Sequence, residues 1–280
     1  MAVMDQNLLA ELIDAARKAG ADAAEAVTAE RQSLSISVRS GELEEVEREE
    51  SRDLGLRVFI GQRQATVSGS DLSPEACAKL VDRAVAMARL APEDPYAGFA
   101  PADRLARGPG PDLELYDPTE LSPETLEDRA REAEAAARAM PGVVNSDGAT
   151  AGWSTARWLI ATSHGFAGHH QASGFSLGAS AIAGDGQTME TGYDGRSVRW
   201  HEDLPGAEAI GREAGRRAAT RLGSRKIAST TAPVIFENRV AMSLIGPLVG
   251  AISGPSIARG SSFLKDKLGQ PVFGDHVTIT

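Results

Sequence analysis

The sequence predicts an α+β fold in which antiparallel sheets built from hairpins are packed by helices, arranged as two lobes. Residues 34–38 and 54–60 alternate apolar and polar side chains, which is typical of strands. Residues 5–20 and 205–222 carry apolar residues at helical spacing. Helices separate blocks of hairpin strands instead of alternating with single strands, which favours α+β over a doubly wound sheet.

The first lobe is predicted to span residues 1–110. Its opening helix is capped by Asp5, ends at Gly20 and has an apolar stripe of Leu8, Leu9, Leu12, Ile13 and Ala16. Strands follow over residues 34–38, 54–60 and 64–68, and Gly61-Gln62 joins the last two as a hairpin. Ser73-Pro74 opens a second helix, since proline is favoured in the first turn.

The second lobe is predicted to span residues 111–280. A segment rich in proline and glycine, residues 91–118, predicts the irregular connection between the lobes. An alanine-rich helix begins at Ser122-Pro123 and ends near Met140, and antiparallel strands occupy residues 143–200. A helix over residues 205–222 follows. Because the chain stops at Thr280 within a strand-like pattern, we expect a truncation at its C-terminal end.

Composition excludes several classes of function. The formal net charge is −10 at pH 7, which argues against nucleic acid as the main partner because phosphate binding needs clustered cations. The single cysteine, Cys77, allows no internal disulfide and no cysteine zinc cluster. The N-terminus lacks the layout of a signal peptide, so we expect a cytoplasmic protein.

The densest run of charge is acidic and lies between Glu42 and Glu50. It contains six glutamates and is broken by Arg48: Glu42, Glu44, Glu45, Glu47, Glu49 and Glu50. We interpret it as the solvated face of a strand or hairpin. A docking surface for a basic partner is the alternative, and the sequence does not decide between them.

Residues 240–258 carry no charge and approach the length of a membrane-spanning helix. However, two prolines and three glycines interrupt the stretch, and each proline would leave backbone groups unpaired in lipid. We therefore predict one or two helices buried in protein, and no membrane partner.

Two serine motifs lack the context that their chemistry needs. Gly174 to Gly178 matches G-x-S-x-G, but Ser176 lies in a predicted strand with no helix after it. Ser262 to Lys265 matches the S-x-x-K motif of penicillin-recognising enzymes. In those enzymes the companion motifs follow S-x-x-K, whereas here the triplet Ser146-Asp147-Gly148 precedes it and no K-T-G occurs. An independent serine enzyme that uses Ser176 or Ser262 is therefore the least favoured hypothesis.

The five histidines do not form a predicted metal site. His169 and His170 are adjacent, so on a strand they face opposite sides and cannot share an ion. His164 lies in a glycine-rich turn, and no H-E-x-x-H pattern occurs in the chain. From the residues alone we predict no catalytic residue, no metal ligand and no cofactor in this chain.

Residues 222–269 carry the strongest resemblance to a known family. They read Leu-Gly-Ser-Arg-Lys-Ile from 222, Ala-Pro-Val-Ile-Phe from 232, Ile-Ala-Arg-Gly from 257 and Ser-Phe-Leu-Lys-Asp-Lys-Leu-Gly from 262. Upstream, Asn145 to Gly148 and Glu190 to Tyr193 also match. The sequence resembles the TldD/PmbA family, in its PmbA (TldE) branch, over the whole chain and without the family's C-terminal lobe.

The resemblance implies a cytoplasmic heterodimeric zinc metalloprotease that processes or degrades unfolded peptides, including microcin precursors and an antitoxin. The family is also named for modulation of DNA gyrase. In the TldD branch an H-E-x-x-x-H helix binds zinc. Here Gly246 and Pro247 stand where the first His-Glu would be, Ala251 replaces the second histidine, and Gly250 matches the glycine before it.

The resemblance thus implies a non-catalytic subunit whose zinc is expected in a TldD-type partner. Pro247 and Gly250 retain a distortable backbone although the ligands are gone, which is consistent with a fold kept for assembly. The alternative is a homodimeric protein that binds peptides or regulates without proteolysis. The natural substrate is not indicated by the sequence.

Overall fold

The protein contains one six-stranded antiparallel sheet with helices packed on it. The computed structural model describes residues 6–106, 108, 110–184 and 186–279. The helices and strands are α1 (Gln6–Lys18), β1 (Ala23–Arg39), β2 (Glu42–Ile60), β3 (Arg63–Gly69), α2 (Pro74–Leu90), α3 (Pro123–Arg138), β4 (Val143–Thr162), β5 (Ala167–Gly184), β6 (Met189–Val198), α4 (Ala207–Thr220), α5 (Asn238–Ile252) and α6 (Gly254–Ala258). The strand order is β3-β2-β1-β4-β5-β6.

This architecture confirms the predicted α+β class with hairpin-built antiparallel strands. The strands form one sheet, and four of them are 17–20 residues long, far longer than the alternating segments at 34–38 and 54–60. Every neighbouring pair is antiparallel. Strand β1 joins the two halves because it pairs with β2 on one side and β4 on the other.

Two hydrophobic cores lie on the same face of β1. Ala24 and Ala26 belong to the core beneath α1 and α2, whereas Ile36 and Val38 belong to the core beneath α3 and α4. All four occupy even positions, and alternate residues of a strand share one face. The two helix pairs therefore pack side by side along the long strands.

The helix starts follow the predicted Ser-Pro signals. The Ser73 hydroxyl accepts the backbone N–H of Ala76 at 3.3 Å, and the Ser122 hydroxyl accepts that of Thr125 at 3.2 Å. Each N-cap satisfies a donor that the first helical turn leaves without a partner. Gly20, with a φ of 106°, ends the first helix as predicted, while Asp5 lies outside the described residues.

Helices α3 and α4 approach closely because glycine stands at their contact. A Cβ atom at Gly211 would lie 2.0 Å from the carbonyl oxygen of Ala133, and one at Gly215 would lie 2.6 Å from that of Ala137. Gly192 of β6 has the same role against α4, where a Cβ would lie 2.2 Å from the backbone nitrogen of Ala218. Any larger residue would have to push these elements apart.

The acidic run forms the first half of β2, as the hairpin interpretation predicted. Strand β3 pairs only with residues 54–60, so residues 42–53 of β2 pair with β1 alone among the described strands. The glutamates from Glu42 to Glu50 are exposed. This half of β2 thus presents a free strand edge bordered by negative charge.

The chain divides into two compact units, of which the first ends at Ser224 and the second begins at Arg225. The first unit holds the whole sheet and helices α1 to α4; the second holds α5, α6 and turns. The predicted lobe boundary between residues 110 and 111 falls in the irregular connection from α2 to α3. The division into lobes 1–110 and 111–280 stays a prediction.

Candidate functional site

Helix α5 carries the four positions at which the resemblance places a degenerate zinc motif. Gly246, Pro247 and Gly250 are exposed, and Ala251 is 7% exposed. Residues 246 and 251 are five apart, so their side-chain directions differ by about 140° around a straight helix. None of the four side chains contains an atom that ligates a metal or transfers a proton.

The expectation that this charge-free stretch is buried is wrong for this chain. The predicted helices are present as α5 and α6, but Met242, Val249 and Ile252 are exposed. Among the described residues after Ser224, only Ala251 and Ser262 are buried, so this unit has too few buried side chains to form a core around the helix. No helix in the described part of the chain is long and apolar enough to span a membrane.

His169 and His170 occupy adjacent positions of β5, so their side chains face opposite sides of the sheet. His169 and His170 lie opposite Leu159 and Trp158 in β5, and the His170 ring stacks on Trp158 at a centroid distance of 5.4 Å. His164 contacts Phe99 edge-on. Within the described residues, no three His, Cys, Asp or Glu side chains group closely enough to hold a metal ion.

Neither serine motif has catalytic geometry. Ser176 lies in the middle of β5, where its hydroxyl is 3.5 Å from the carbonyl oxygen of Gly152, and β5 continues to Gly184. Ser262 lies in a turn, and its hydroxyl accepts the backbone N–H of Leu264 at 3.0 Å. A nucleophilic serine needs a base within hydrogen-bond reach, and the hydrogen bonds of these two hydroxyls supply none.

A buried polar network fixes the connection before α3, and sequence patterns gave no signal for it. The Asp117 carboxylate accepts the backbone N–H of His201 at 2.8 Å and that of Thr119 at 2.9 Å, while the Asp117 N–H donates to the Ser173 hydroxyl at 2.9 Å. Burial by itself raises the pKa of Asp117, but the hydrogen bonds from Thr119 and His201 lower it below its usual value.

This network is structural, although it contains the residue types of a hydrolase triad. His201 reaches Asp117 through its backbone N–H, and the Ser173 hydroxyl donates to the carbonyl oxygen of Arg199 at 2.7 Å. A catalytic triad instead requires the imidazole to bridge the serine and the carboxylate. The network ties the segment around Asp117 to Ser173 of β5 and to the turn at His201.

A polar cavity lies on the helix-bearing side of the central strands. Its volume is about 260 Å³, and residues 30–32 of β1, 50–52 of β2, and Thr155 and Arg157 of β4 line it. We call it the polar saddle because it occupies the middle of the long strands, between the residues that form the two cores. No residue of the predicted motif helix contributes to it.

Comparison with protein families identifies the chain. Sequence models described as PmbA/TldA metallopeptidase domain 1, central domain and C-terminal domain match residues 24–88, 116–222 and 229–280. Metalloprotease PmbA from Escherichia coli O157:H7 is 38% identical over 259 residues. The chain belongs to the PmbA/TldD metallopeptidase family.

Further members and solved structures support this PmbA/TldD assignment. A Metalloprotease PmbA homolog from Haemophilus influenzae is 35% identical over 269 residues, which are 96% of this chain and 59% of that protein. The alignment with the Escherichia coli protein covers 92% of this chain and 57% of the relative. The chain therefore spans somewhat more than half the length of these relatives.

Two crystal structures share the fold of this PmbA/TldD chain. A putative modulator of DNA gyrase from Bacteroides thetaiotaomicron superimposes with a TM-score of 0.84 at 23% identity, over 95% of this chain and 61% of that one. TldE from Thermococcus kodakarensis superimposes with a TM-score of 0.72 at 17% identity, over 92% of this chain and 57% of that one.

Proposed function

We propose that this chain is the non-catalytic subunit of a TldD/TldE-type heterodimeric zinc metalloprotease. The observation that supports the proposal is the chemistry of α5 in a chain of the metallopeptidase family. Where the zinc-binding branch has His, Glu and His, α5 has Gly246, Pro247 and Ala251, which supply no imidazole and no carboxylate. Since these residues do not fit a zinc ion, we assign this chain no step of peptide hydrolysis.

The zinc and the general base then belong to a TldD-type partner that carries H-E-x-x-x-H. The role of this chain is to complete the assembly and to help shape the channel that receives unfolded peptide. Microcin precursors and antitoxins are the proposed substrates, and the cytoplasm is the proposed location. The name of one structural neighbour as a putative modulator of DNA gyrase fits an indirect effect of such proteolysis.

Co-expression with the TldD-type subunit of the same genome tests the proposal. We expect the two chains to co-elute in size-exclusion chromatography, with about one zinc ion per heterodimer measured by mass spectrometry. The complex should cleave an unfolded substrate such as β-casein, and this chain alone should not. Replacement of the partner's motif glutamate by glutamine should abolish cleavage while the complex persists.

Two outcomes would contradict the proposal. Zinc-dependent cleavage by this chain alone would show that it contains a catalytic site. The peptide-binding alternative would be favoured if this chain eluted as a homodimer that binds β-casein. In that case it would neither bind the TldD-type partner nor cleave the substrate. In the complex, Ser176→Ala and Ser262→Ala should leave cleavage unchanged, since neither hydroxyl has catalytic geometry.

A further inference from the structure

The polar saddle is built from two cross-strand rows of side chains. In the first row Glu30 of β1 lies between Arg52 of β2 and Arg157 of β4. In the second row Gln32 lies between Glu50 and Thr155. Directly opposed residues of antiparallel strands share a face, so each row points to one side of the sheet. The rows place hydrogen-bond donors and two carboxylates around one cavity.

Both carboxylates of the saddle already have arginine partners. Glu30 accepts Nε and Nη2 of Arg52 through its Oε1 atom. Glu50 accepts Nε of Arg48 at 3.1 Å and Nη2 at 2.7 Å. Among the described residues, each acid is therefore paired with one guanidinium, and neither ion pair includes the other arginine of the rows.

Arg157 is the arginine of the rows that is in neither ion pair. Its side chain is half-buried, and its guanidinium carbon lies 5.9 Å from the centroid of the Tyr116 ring. The Nε atom is buried and has no hydrogen-bond partner among the described residues, and no acid in that part of the chain pairs with the guanidinium. The Tyr116 ring compensates part of the desolvation of this cation, but it leaves the guanidinium without a counter-ion, which marks the saddle as a place for an anion.

We propose that the polar saddle binds a carboxylate group, with the guanidinium of Arg157 as its main partner. The planar fork of an arginine matches a carboxylate with two parallel hydrogen bonds. Gln32 and Thr155, in the neighbouring row, supply an amide and a hydroxyl as further donors. The ligand is a small carboxylic acid or a carboxylate carried by a peptide.

The charge balance favours a carboxylate over a phosphate. In the two rows, Arg52, Glu30 and Arg157 together carry one net positive charge, and Glu50 with Arg48 carries none. Arg31 also borders the cavity, but it is at an odd position of β1 and belongs to neither row. An anion with a single negative charge neutralises this net charge of the rows. A phosphate group near pH 7 carries up to two charges, and the second would face Glu30 and Glu50 at close range.

Isothermal titration calorimetry with matched probes tests the site on the full chain. N-acetylglycine supplies one carboxylate, N-acetylglycinamide is its uncharged counterpart, and inorganic phosphate is the competing anion. We expect N-acetylglycine to bind at least about tenfold more tightly than the other two. A capped tripeptide with one central glutamate separates the sources: binding tighter than that of N-acetylglycine assigns a peptide carboxylate, and weaker binding a small acid.

Variants connect the binding to the named residues. Arg157→Gln should weaken the binding of N-acetylglycine about tenfold. Arg157→Lys should weaken it less, because lysine keeps the positive charge but lacks the planar fork of hydrogen-bond donors. Glu50→Gln should tighten it, since a nearby negative charge is removed. Arg83→Gln removes a positive charge from an exposed position of α2 outside the cavity and should have no effect.

Several results would overturn the proposal. These are equal binding of the acid and the amide, tighter binding of phosphate, no binding at millimolar concentration, or unchanged affinity in a folded Arg157→Gln variant. If Arg157→Gln fails to fold, Arg157→Lys and Glu50→Gln still give opposite expected shifts. The proposal does not depend on proteolysis, because binding is measured on this chain alone.

Discussion

Glu134 in α3 binds the turn at Ser40 that joins β1 to β2. Its Oε1 atom accepts the backbone N–H of Ser40, and its Oε2 atom accepts that of Gly41, both at 2.7 Å. Ser40 and Gly41 have φ values of 55° and 81°, as in the type I′ turn that suits tight hairpins. Glu134 is only 1% exposed, so these two hydrogen bonds compensate its buried carboxylate.

We expect Glu134→Ala to lower the free energy of unfolding by about 3 kcal/mol, because charged hydrogen bonds are lost and two amides lose their acceptors. Glu134→Gln should cost less, since its amide oxygen still serves one N–H. Urea denaturation measures both. Glu132→Ala changes an exposed residue of the same helix and should stay within about 0.5 kcal/mol of the wild type. Equal effects at 134 and 132 would contradict the role of this carboxylate.

The contact between α3 and α4 depends on glycine. We expect Gly211→Ala to destabilise the protein by about 3 kcal/mol, because its Cβ would clash with the carbonyl oxygen of Ala133. Gly250→Ala in α5 is the matched control, since nothing lies within 4 Å of its Cβ position and alanine is the better helix former. Thermal melts followed by circular dichroism compare the two. A Gly211→Ala variant as stable as the wild type would show that the helices separate at no cost.

Glu213 in α4 gives stability a defined pH dependence. Hydrogen bonds from Arg216, together with the charges of Arg217 and Arg216, lower its pKa to about 2 despite some desolvation. Because the folded pKa lies below the usual value, the stabilisation is complete above about pH 4.5 and is lost as the pH falls toward 2.

We therefore expect Glu213→Gln to cost about 1 kcal/mol at pH 7, as partly exposed ion pairs do. The difference from the wild type should shrink between pH 4.5 and 2. Urea midpoints across this range provide the measurement. Glu208→Gln breaks a more exposed pair with Arg212 and should change the stability less. A constant difference at all pH values would show that the effect of residue 213 is not ionic.

Restoration of the motif residues should not create a zinc site. In the triple variant Gly246→His, Pro247→Glu and Ala251→His, the motif is restored, but the described residues offer no cluster that would supply a further ligand. We expect no stoichiometric zinc after dialysis, measured by mass spectrometry. Stoichiometric zinc together with peptide cleavage would contradict this.

The single variants of α5 should have opposite effects on its helix content. Pro247→Glu restores a backbone N–H and should raise the helical signal in circular dichroism. Ala251→His enlarges a buried side chain and should lower it. Gly250→Ala, at an exposed position of the same helix, should raise it slightly. A stabilising Ala251→His would indicate that this side chain is not packed.

The sequence predicted those elements whose buried residues follow a regular period. Phe175, Leu177 and Ala179 occupy alternate positions of β5, and the Ser-Pro pairs mark two helix starts. The first half of β2 shows no apolar alternation, because both of its faces are exposed and backbone pairing with β1 holds it in place. Apolar residues alternate along a strand when one of its faces is buried. A strand that is exposed on both faces therefore shows no such alternation.

Functional positions were harder to predict because they depend on contacts between distant residues. The saddle row joins residues 30, 52 and 157 through strand register, which no local pattern specifies. Asp117 likewise looked like an ordinary loop residue, although it is buried and bonded to residue 201. The motif positions on α5 were found by family resemblance, since Gly246 and Ala251 have no ionisable or metal-binding side chain that a sequence pattern could detect.

The free edge of β2 has a consequence for self-association. Two such edges from separate molecules could pair through their open backbone groups, but each approach brings the glutamates of one copy against those of the other. Salt screens this repulsion beyond about 8 Å at physiological ionic strength. The colloidal stability of the protein therefore depends on the negative charge of one hairpin, and intermolecular sheet growth should begin there when high salt screens that charge.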